Sequence, residues 1–276
     1  MTELTLHHPY ALGHSDSELD RLIAQAKVID PFTRQFLQEA GLSKGMRVLD
    51  VGSGAGDVAF LAADLVGSSG EVVGVDRSLD ALRAARLRIQ GMRYRNVSFH
   101  QGDPAEMTFE KPFDAVIGRY VLQYQPDPAA MVRKLASHAR PGGVIVFQES
   151  DWSANKSLPN APVHDRCCFW IAKTMELLGA EMQMGLKLHS VFVSAGLPAP
   201  AMRLRALIGG GESGLERVRM VVDLLTTLWD SAIRLGVATA AELDLDRLAK
   251  RMTEEVTAGG SVLVGNSEIA AWSPRK

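Results

Sequence analysis

The stretch Val48-Leu-Asp-Val-Gly-Ser-Gly-Ala-Gly-Asp57 decides the fold of this chain. A short aliphatic run enters a turn that contains Gly52, Gly54 and Gly56, and a helical pattern begins at Asp57. Glycine lets the backbone turn tightly and lets a ligand approach with no Cβ in the way. The stretch therefore predicts a strand, a ligand-binding turn and a helix.

Further strands and helices alternate downstream of this turn. The sequence predicts strands over 71–76, 96–101, 113–118 and 144–147, with helices of about ten residues between several of them. Such alternation is typical of a parallel sheet that is covered on both faces. Since crossovers between parallel strands are right-handed, we expect an α/β fold with a doubly wound, Rossmann-like, mostly parallel sheet.

The pattern changes at two positions, which predicts three parts. Residues 1–44 carry a helical pattern and form an N-terminal helical cap, and residues 45–150 form the ligand-binding core. Residues 151–276 are rich in helix-forming, aromatic and methionine residues, and short strands near the end of the chain are expected to complete a seven-stranded sheet.

Composition restricts the class of protein. Of the 276 residues 46% are hydrophobic and 22% are charged, which is typical of a globular enzyme. A formal net charge of −2 argues against a nucleic-acid binder. No apolar stretch approaches a membrane span, and no signal peptide is evident, so a cytoplasmic location is expected. Cys167 and Cys168 are adjacent and are expected to be reduced thiols, and no Cys/His spacing indicates a metal site.

Acidic residues follow three successive predicted strands. Asp50 and Asp57 flank the glycine turn, where they repel a pyrophosphate and attract a cationic amine. S-adenosylmethionine carries such an amine and a positive sulfonium. Asp76 has the spacing of a carboxylate that binds a ribose diol, which fits either this cofactor or a dinucleotide. Asp103 can accept a hydrogen bond from an adenine amino group.

At these residues the chain resembles the class I S-adenosylmethionine-dependent methyltransferases, and it is most similar to the ubiquinone/menaquinone-type and small-molecule enzymes. The resemblance covers about residues 45 to 150. Besides the glycine stretch, it depends on four segments: Val73-Gly-Val-Asp76, Gly102-Asp103, Phe113-Asp-Ala-Val116, and Leu135 through Pro141-Gly-Gly143.

The resemblance implies a cofactor site and a lid. Gly52 and Gly54 would pass the methionine part, Asp50 would order it, Asp76 would bind the ribose and Asp103 the adenine. It also implies that the N-terminal helix and a helical insertion after the fifth strand cover the substrate. Pro104 departs from the family, because it has no N–H to donate to adenine. The implied cofactor-binding residues are Asp50, Gly52, Ser53, Gly54, Asp76, Arg77, Gly102, Asp103, Pro104 and Arg119.

Residues for the acceptor are less clearly marked. Glu149, at the end of a predicted strand, and His164, in the expected lid, are the candidate general bases. The apolar stretch after Phe169 fits either a pocket wall or ordinary core packing. The candidate pocket residues are Tyr10, Tyr124, Trp152, Phe169, Trp170 and Met175.

The sequence predicts methyl transfer from S-adenosylmethionine to a small organic acceptor at oxygen, nitrogen or carbon, with S-adenosylhomocysteine as product. Three alternatives stay open: an RNA or protein methyltransferase, a non-catalytic S-adenosylmethionine-binding protein, and a nicotinamide oxidoreductase. We expect a monomer or homodimer whose partner is a small molecule, with neither nucleic acid nor membrane as partner.

Overall fold

A sheet with five parallel strands at its centre dominates the computed structural model, which describes residues 16–92 and 94–276. The order β3-β2-β1-β4-β5 is doubly wound, and β8 adds antiparallel to β5. In chain order the elements are α1 (Asp16–Glu39), β1 (Arg47–Val51), α2 (Asp57–Val66), β2 (Glu71–Asp76), α3 (Leu79–Gln90), β3 (Val97–Gln101), β4 (Phe113–Arg119), a 3-10 turn (Leu122–Tyr124), α4 (Pro128–Ala136), β5 (Ala139–Asp151), β6 (Lys156–Leu158), α5 (Pro162–Leu177), α6 (Met184–Ser194), β7 (Ala201–Gly210), a second 3-10 turn (Gly211–Gly214), α7 (Leu215–Arg234), α8 (Leu245–Thr257) and β8 (Val262–Pro274).

Successive residues of the central strands belong in turn to two hydrophobic clusters, one on each face of the sheet. Leu49 and Val73 belong to the cluster that includes residues of α4 and α6. Val48 and Val72 belong to the cluster that includes residues of α2 and α3. Since side chains alternate across a strand, burial on both faces explains why these strands are apolar throughout.

The predicted fold class is confirmed. The predicted number of seven strands is wrong: the sheet has eight, because the short strand β6 pairs antiparallel with the first residues of β8. β7 also pairs with β8, and helices α5 to α8 lie between β5 and β8 in sequence, as the expected insertion requires.

The chain forms two compact units. One consists largely of Ala154–Met182 and Leu207–Gly265, and the other of Leu19–Ser153, Gln183–Ala206 and Asn266–Lys276. The division at residues 44 and 150 stays a prediction. Within the described ranges, no helix combines the length and apolar character that crossing a bilayer requires.

Candidate active site

The glycine turn lies at the carboxyl end of β1, where the strand order reverses between the parallel neighbours β2 and β4. Open parallel sheets bind their ligands at such a point. Gly52 and Gly54 have φ angles of +65° and +52°, which favour glycine. A Cβ at Gly52 would lie 2.9 Å from Val121 Cγ2, whereas a Cβ at Gly54 would have no described heavy atom within 4 Å. Open space therefore borders the turn at Gly54.

Asp50 is the most unusual residue of the site. Its side chain is buried, and neither carboxylate oxygen makes a hydrogen bond of normal geometry with a described residue, although the backbone N–H of Ala59 is close enough to have a small lowering effect on its pKa. Burial raises the pKa of this carboxyl group to about 8; Arg119 works in the opposite direction, and the nearby Asp76 adds to the rise. Ser53 Oγ, in the turn, is also buried without a described partner. A buried polar group without a partner is costly, so these atoms are suited to a ligand that brings hydrogen-bond donors.

Asp76 and Asp103 follow β2 and β3 and organise the loops there. Asp76 accepts hydrogen bonds from the backbone N–H of Gly54 and of Ser78, each at 2.8 Å. Asp103 accepts from the N–H of Ala105 at 2.9 Å, and its other oxygen pairs with Arg77 at 2.5 Å. Each carboxylate oxygen can accept further bonds. The structure thus places both acids at the sheet edge that carries the glycine turn.

Gly102 and Pro104, two further predicted cofactor residues, lie on either side of Asp103. Gly102 continues from β3, and its N–H donates to the carbonyl of Asp76 at 3.0 Å. Pro104 is buried, and its carbonyl is 2.8 Å from His138 Nε2. The next backbone N–H after Pro104, that of Ala105, donates to the Asp103 side chain.

Arg119, at the end of β4, is held by two residues of α1. Its Nη1 donates to Asp30 Oδ1 and to Thr33 Oγ1, both at 2.9 Å. Burial works to lower the pKa of this guanidinium, but the opposing effects of Tyr120 and Asp30 leave it raised. Arg119 is therefore a cation with a fixed position, and its charge works to lower the pKa of Asp50.

Glu149, a predicted base, is fully buried on β5. Its carboxylate accepts backbone N–H bonds from Val121 at 2.9 Å, Leu122 at 2.7 Å and Gln123 at 3.3 Å. Burial raises its pKa to about 8, against the lowering effect of these three bonds. The carboxylate caps the 3-10 turn that follows β4, and thereby holds Val121 against Gly52.

A buried network beside this turn was missed by the sequence analysis. Glu268 on β8 accepts from the Tyr120 hydroxyl at 2.7 Å and from Gln148 Nε2 at 2.8 Å, and Gln148 Oε1 accepts from Thr33 at 2.8 Å. Burial raises the pKa of Glu268. Tyr120 has a φ of +58°, a strained value for a tyrosine. An acid within the apolar run Glu268-Ile-Ala-Ala-Trp272 was the available signal.

The expected acceptor residues are dispersed over both units. Tyr10 lies outside the described residues. Tyr124 and Trp152 are partly buried, and both belong to the unit that contains β1. The other unit holds the remaining four, of which Phe169 is exposed and three are buried: His164, Trp170 and Met175.

Within that second unit, Trp170 lines a cavity of about 230 Å³. Pro162, Val163 and Leu248 contribute apolar atoms to the cavity, and Arg166 is one of its charged residues. Phe169 and Met175 do not line it. No group of His, Cys, Asp and Glu side chains with the geometry of a metal site occurs in the described part of the chain.

The residues at the sheet edge fit S-adenosylmethionine better than a dinucleotide. Asp50 and Ser53 offer acceptors that lack a partner in the described chain, as a ligand amine requires. Asp76 lies beside them, so the site offers carboxylates rather than donors to a pyrophosphate. Gly54 leaves room for a ligand.

Comparisons with known proteins agree with this chemistry. The methyltransferase-domain family matches residues 42–196. A demethylmenaquinone methyltransferase of Lactococcus lactis is 29% identical over 63% of this chain and 67% of its own length. One from Staphylococcus aureus is 33% identical over 47% of this chain, which spans about half, 51%, of that relative.

A solved structure shares the fold. Phosphoethanolamine N-methyltransferase 2 of Haemonchus contortus, in complex with S-adenosyl-L-methionine, has a TM-score of 0.54 at 18% identity, over 88% of this chain and 52% of that one. Since the family match covers more than half of the chain, this protein belongs to the methyltransferase-domain family, and its assignment to the S-adenosylmethionine-dependent methyltransferases is confirmed.

Proposed function

We propose that this chain transfers a methyl group from S-adenosylmethionine to a small organic acceptor. The observation that carries the proposal is the buried Asp50 carboxylate, whose oxygens make no hydrogen bond of normal geometry with a described residue and which borders the glycine turn. A cationic amine placed there would receive two acceptor oxygens and would offset the cost of burying the charge.

The cofactor contacts are proposed residue by residue. Asp50 and Ser53 accept from the amine, and Gly52 and Gly54 admit the methionine chain. Asp76 accepts from the ribose hydroxyls with the lone pairs that the Gly54 and Ser78 N–H groups leave unused. Asp103 accepts from the adenine amino group in the same way, while Arg77, Gly102 and Pro104 shape the adenine edge.

When bound, S-adenosylmethionine supplies a methyl group on a positive sulfur that nucleophiles attack in line. The chain's part is to orient both reactants, because positioning can supply much of the acceleration in such a displacement. Arg119 is fixed by α1 and contributes a permanent positive charge beside the turn. We propose that it holds a carboxylate of the cofactor or of the acceptor.

Glu149 acts in this proposal as a positioning residue rather than a base. Its carboxylate is engaged by three backbone N–H groups, so it fixes the turn that contacts Gly52. A base is needed only if the acceptor must lose a proton. The Tyr120 hydroxyl, hydrogen-bonded to Glu268, is the group of the newly found network that can hold or pass such a proton.

The acceptor class also follows from the relatives, whose names specify demethylmenaquinone, a small molecule. We infer a small acceptor for this chain as well, and a net charge of −2 agrees with that choice over RNA. A cytoplasmic location, a monomeric or homodimeric state and the absence of a nucleic-acid partner stay predictions.

Calorimetry with S-adenosylhomocysteine tests the cofactor assignment. We expect Asp76→Ala to weaken binding at least about tenfold, because two charge-assisted bonds contribute more than ~1.4 kcal/mol. Asp80→Ala, which removes an exposed acid on α3, is the matched control and should bind like the wild type. Circular dichroism verifies that both variants fold. Equal affinity of the two variants would remove the proposal.

A further inference from the structure

A second polar cluster lies in the unit that contains α5 and α7. His164 and Cys168 come from one face of α5, one turn apart, and Arg217 comes from α7. Asn155 and Asp165 complete the set, which we call the Cys168 cluster. All five residues belong to the segments Ala154–Met182 and Leu207–Gly265. His164 was predicted to act as a general base in methyl transfer, and in the structure its imidazole contacts a thiol.

The Cys168 sulfur has polar neighbours from three residues of the cluster: His164, Arg217 and, at 4.0 Å, the side-chain oxygen of Asn155. His164 Nε2 lies 3.5 Å from Sγ, and Arg217 Nη2 lies 3.6 Å from it. On the other side of the imidazole, Nδ1 is 3.0 Å from Asp165 Oδ1. Arg217 also donates to Asn155 Oδ1 at 2.5 Å, which fixes the guanidinium. A carboxylate behind an imidazole and a sulfur in front of it is the arrangement that activates a thiol.

Burial strengthens these interactions. Relative exposure is 0% for His164, 5% for Cys168 and 4% for Arg217. A buried guanidinium is stabilised by an adjacent anion, and a thiolate supplies one. A Cβ at Gly265 would lie 3.3 Å from Arg217 Nε, so the backbone there packs close to the arginine and limits its movement.

The neighbouring Cys167 provides an internal comparison. Burial raises the pKa of Cys167 to about 12, with Cys168 and Glu255 adding to the rise. Burial works in the same direction on Cys168, yet the hydrogen bond from His164 and the charge of Arg217 leave the pKa of Cys168 lowered. The pKa of His164 is raised by Cys168 and Asp165, although burial opposes the shift and Arg217 also lowers it.

The charges of Arg166 on α5 and Arg251 on α8 work to lower the pKa of Cys167, and a further charged group of α8 near the start of α5 is Glu255. It accepts the backbone N–H of Val163 at 2.8 Å and of His164 at 3.1 Å, so it caps the helix and does not bond the Cys168 sulfur. The adjacent thiols therefore differ in one respect that matters for reactivity: the Cys168 sulfur is hydrogen-bonded to His164 and Arg217, whereas Arg166 and Arg251 act on Cys167 through their charge.

We propose that Cys168 is a peroxide-sensitive modification site that reacts as its thiolate, whereas Cys167 stays an unreactive thiol. In the reaction with hydrogen peroxide, Sγ attacks one oxygen, an S–O bond forms and the O–O bond breaks. His164 gives its proton to the leaving hydroxide, so the products are a sulfenic acid and water. The sulfur loses two electrons to the peroxide, and the anion between His164 and Arg217 is lost.

Two single-cysteine variants test this site in the full-length chain. The variant Cys167→Ala keeps Cys168, and its matched control, Cys168→Ala, keeps Cys167. Each is exposed to hydrogen peroxide at neutral pH, then unfolded and treated with N-ethylmaleimide, and the remaining thiol is counted by mass spectrometry. We expect the thiol of Cys168 to disappear at least about tenfold faster than that of Cys167, because the thiolate is the nucleophile.

The role of the imidazole is tested by adding His164→Gln to the Cys167→Ala variant, with circular dichroism to verify folding. Oxidation of Cys168 should slow to the rate of the control, and the rise of its rate with pH should move to higher pH. Equal oxidation of the two cysteines, protection of both in the folded chain, or an unchanged rate with glutamine at position 164 would each overturn the proposal.

Discussion

Cofactor binding is expected to release a proton from Asp50. Without ligand the pKa of this buried carboxyl group is about 8, so it is protonated at neutral pH. A carboxylate that faces a cationic amine titrates near or below its ordinary value of about 4. Between about pH 5.5 and 7 the free protein therefore holds a proton that the complex lacks. Affinity must then rise with pH by about tenfold per unit, or ~1.4 kcal/mol, and by about thirtyfold over this range.

Isothermal titration with S-adenosylhomocysteine measures this release directly. Repeating the titration in buffers with different ionisation enthalpies should give about one proton released per ligand at pH 6.5. Asp50→Asn preserves the shape of the side chain but carries no proton, so it should bind more weakly and with little dependence on pH. Asp80→Asn is the control and should keep the wild-type slope. An affinity that is constant over this range, or a slope that survives in Asp50→Asn, would refute the reasoning.

Two further pairs of substitutions distinguish effects on cofactor binding from effects on the stability of the fold. Gly54→Val should abolish detectable binding of S-adenosylhomocysteine. The control is Gly179→Val, at a glycine with a left-handed φ of +91° and equally open space, which should cost about 1–3 kcal/mol of stability as strain but keep the affinity. Equal affinities of the two variants in calorimetry would contradict this prediction. Glu268→Ala should lower the free energy of unfolding in urea by about 2–4 kcal/mol, because it leaves the donors of Tyr120 and Gln148 without an acceptor. Glu268→Gln, which keeps an acceptor oxygen, should cost less than half as much. Equal losses in the two variants would show that the acceptor is unimportant.

The core of the fold was predictable because its strands are apolar and regularly spaced. β1 to β4 lie where the pattern indicated them, whereas β5, predicted over 144–147, extends over Ala139–Asp151. The short β6 was not predicted, because Lys156-Ser-Leu158 has too few residues for a period. Short strands were expected near the end of the chain, but β8 runs continuously through Val262–Pro274. Its polar middle, Gly265-Asn-Ser267, obscured that continuity in the sequence.

The acids of the site were predictable for a geometric reason. Parallel strands end at one edge of a sheet, so Asp50, Asp76 and Asp103 had to lie near one another. The partners of Glu149 and Glu268 could not be predicted in the same way. Glu149 accepts hydrogen bonds from the backbone of a turn that precedes it in sequence. Glu268 accepts one from Tyr120, although it belongs to an antiparallel strand far along the chain. Such pairings depend on the three-dimensional arrangement, which periodicity does not encode.

A crystal structure of the protein grown with S-adenosylhomocysteine is the most direct test of the central claim. We expect the ligand amine within hydrogen-bonding distance of Asp50 and the ribose hydroxyls on Asp76, with the methionine chain passing Gly54. Density for the ligand elsewhere, or a dinucleotide bound at the glycine turn in a parallel experiment, would contradict the account.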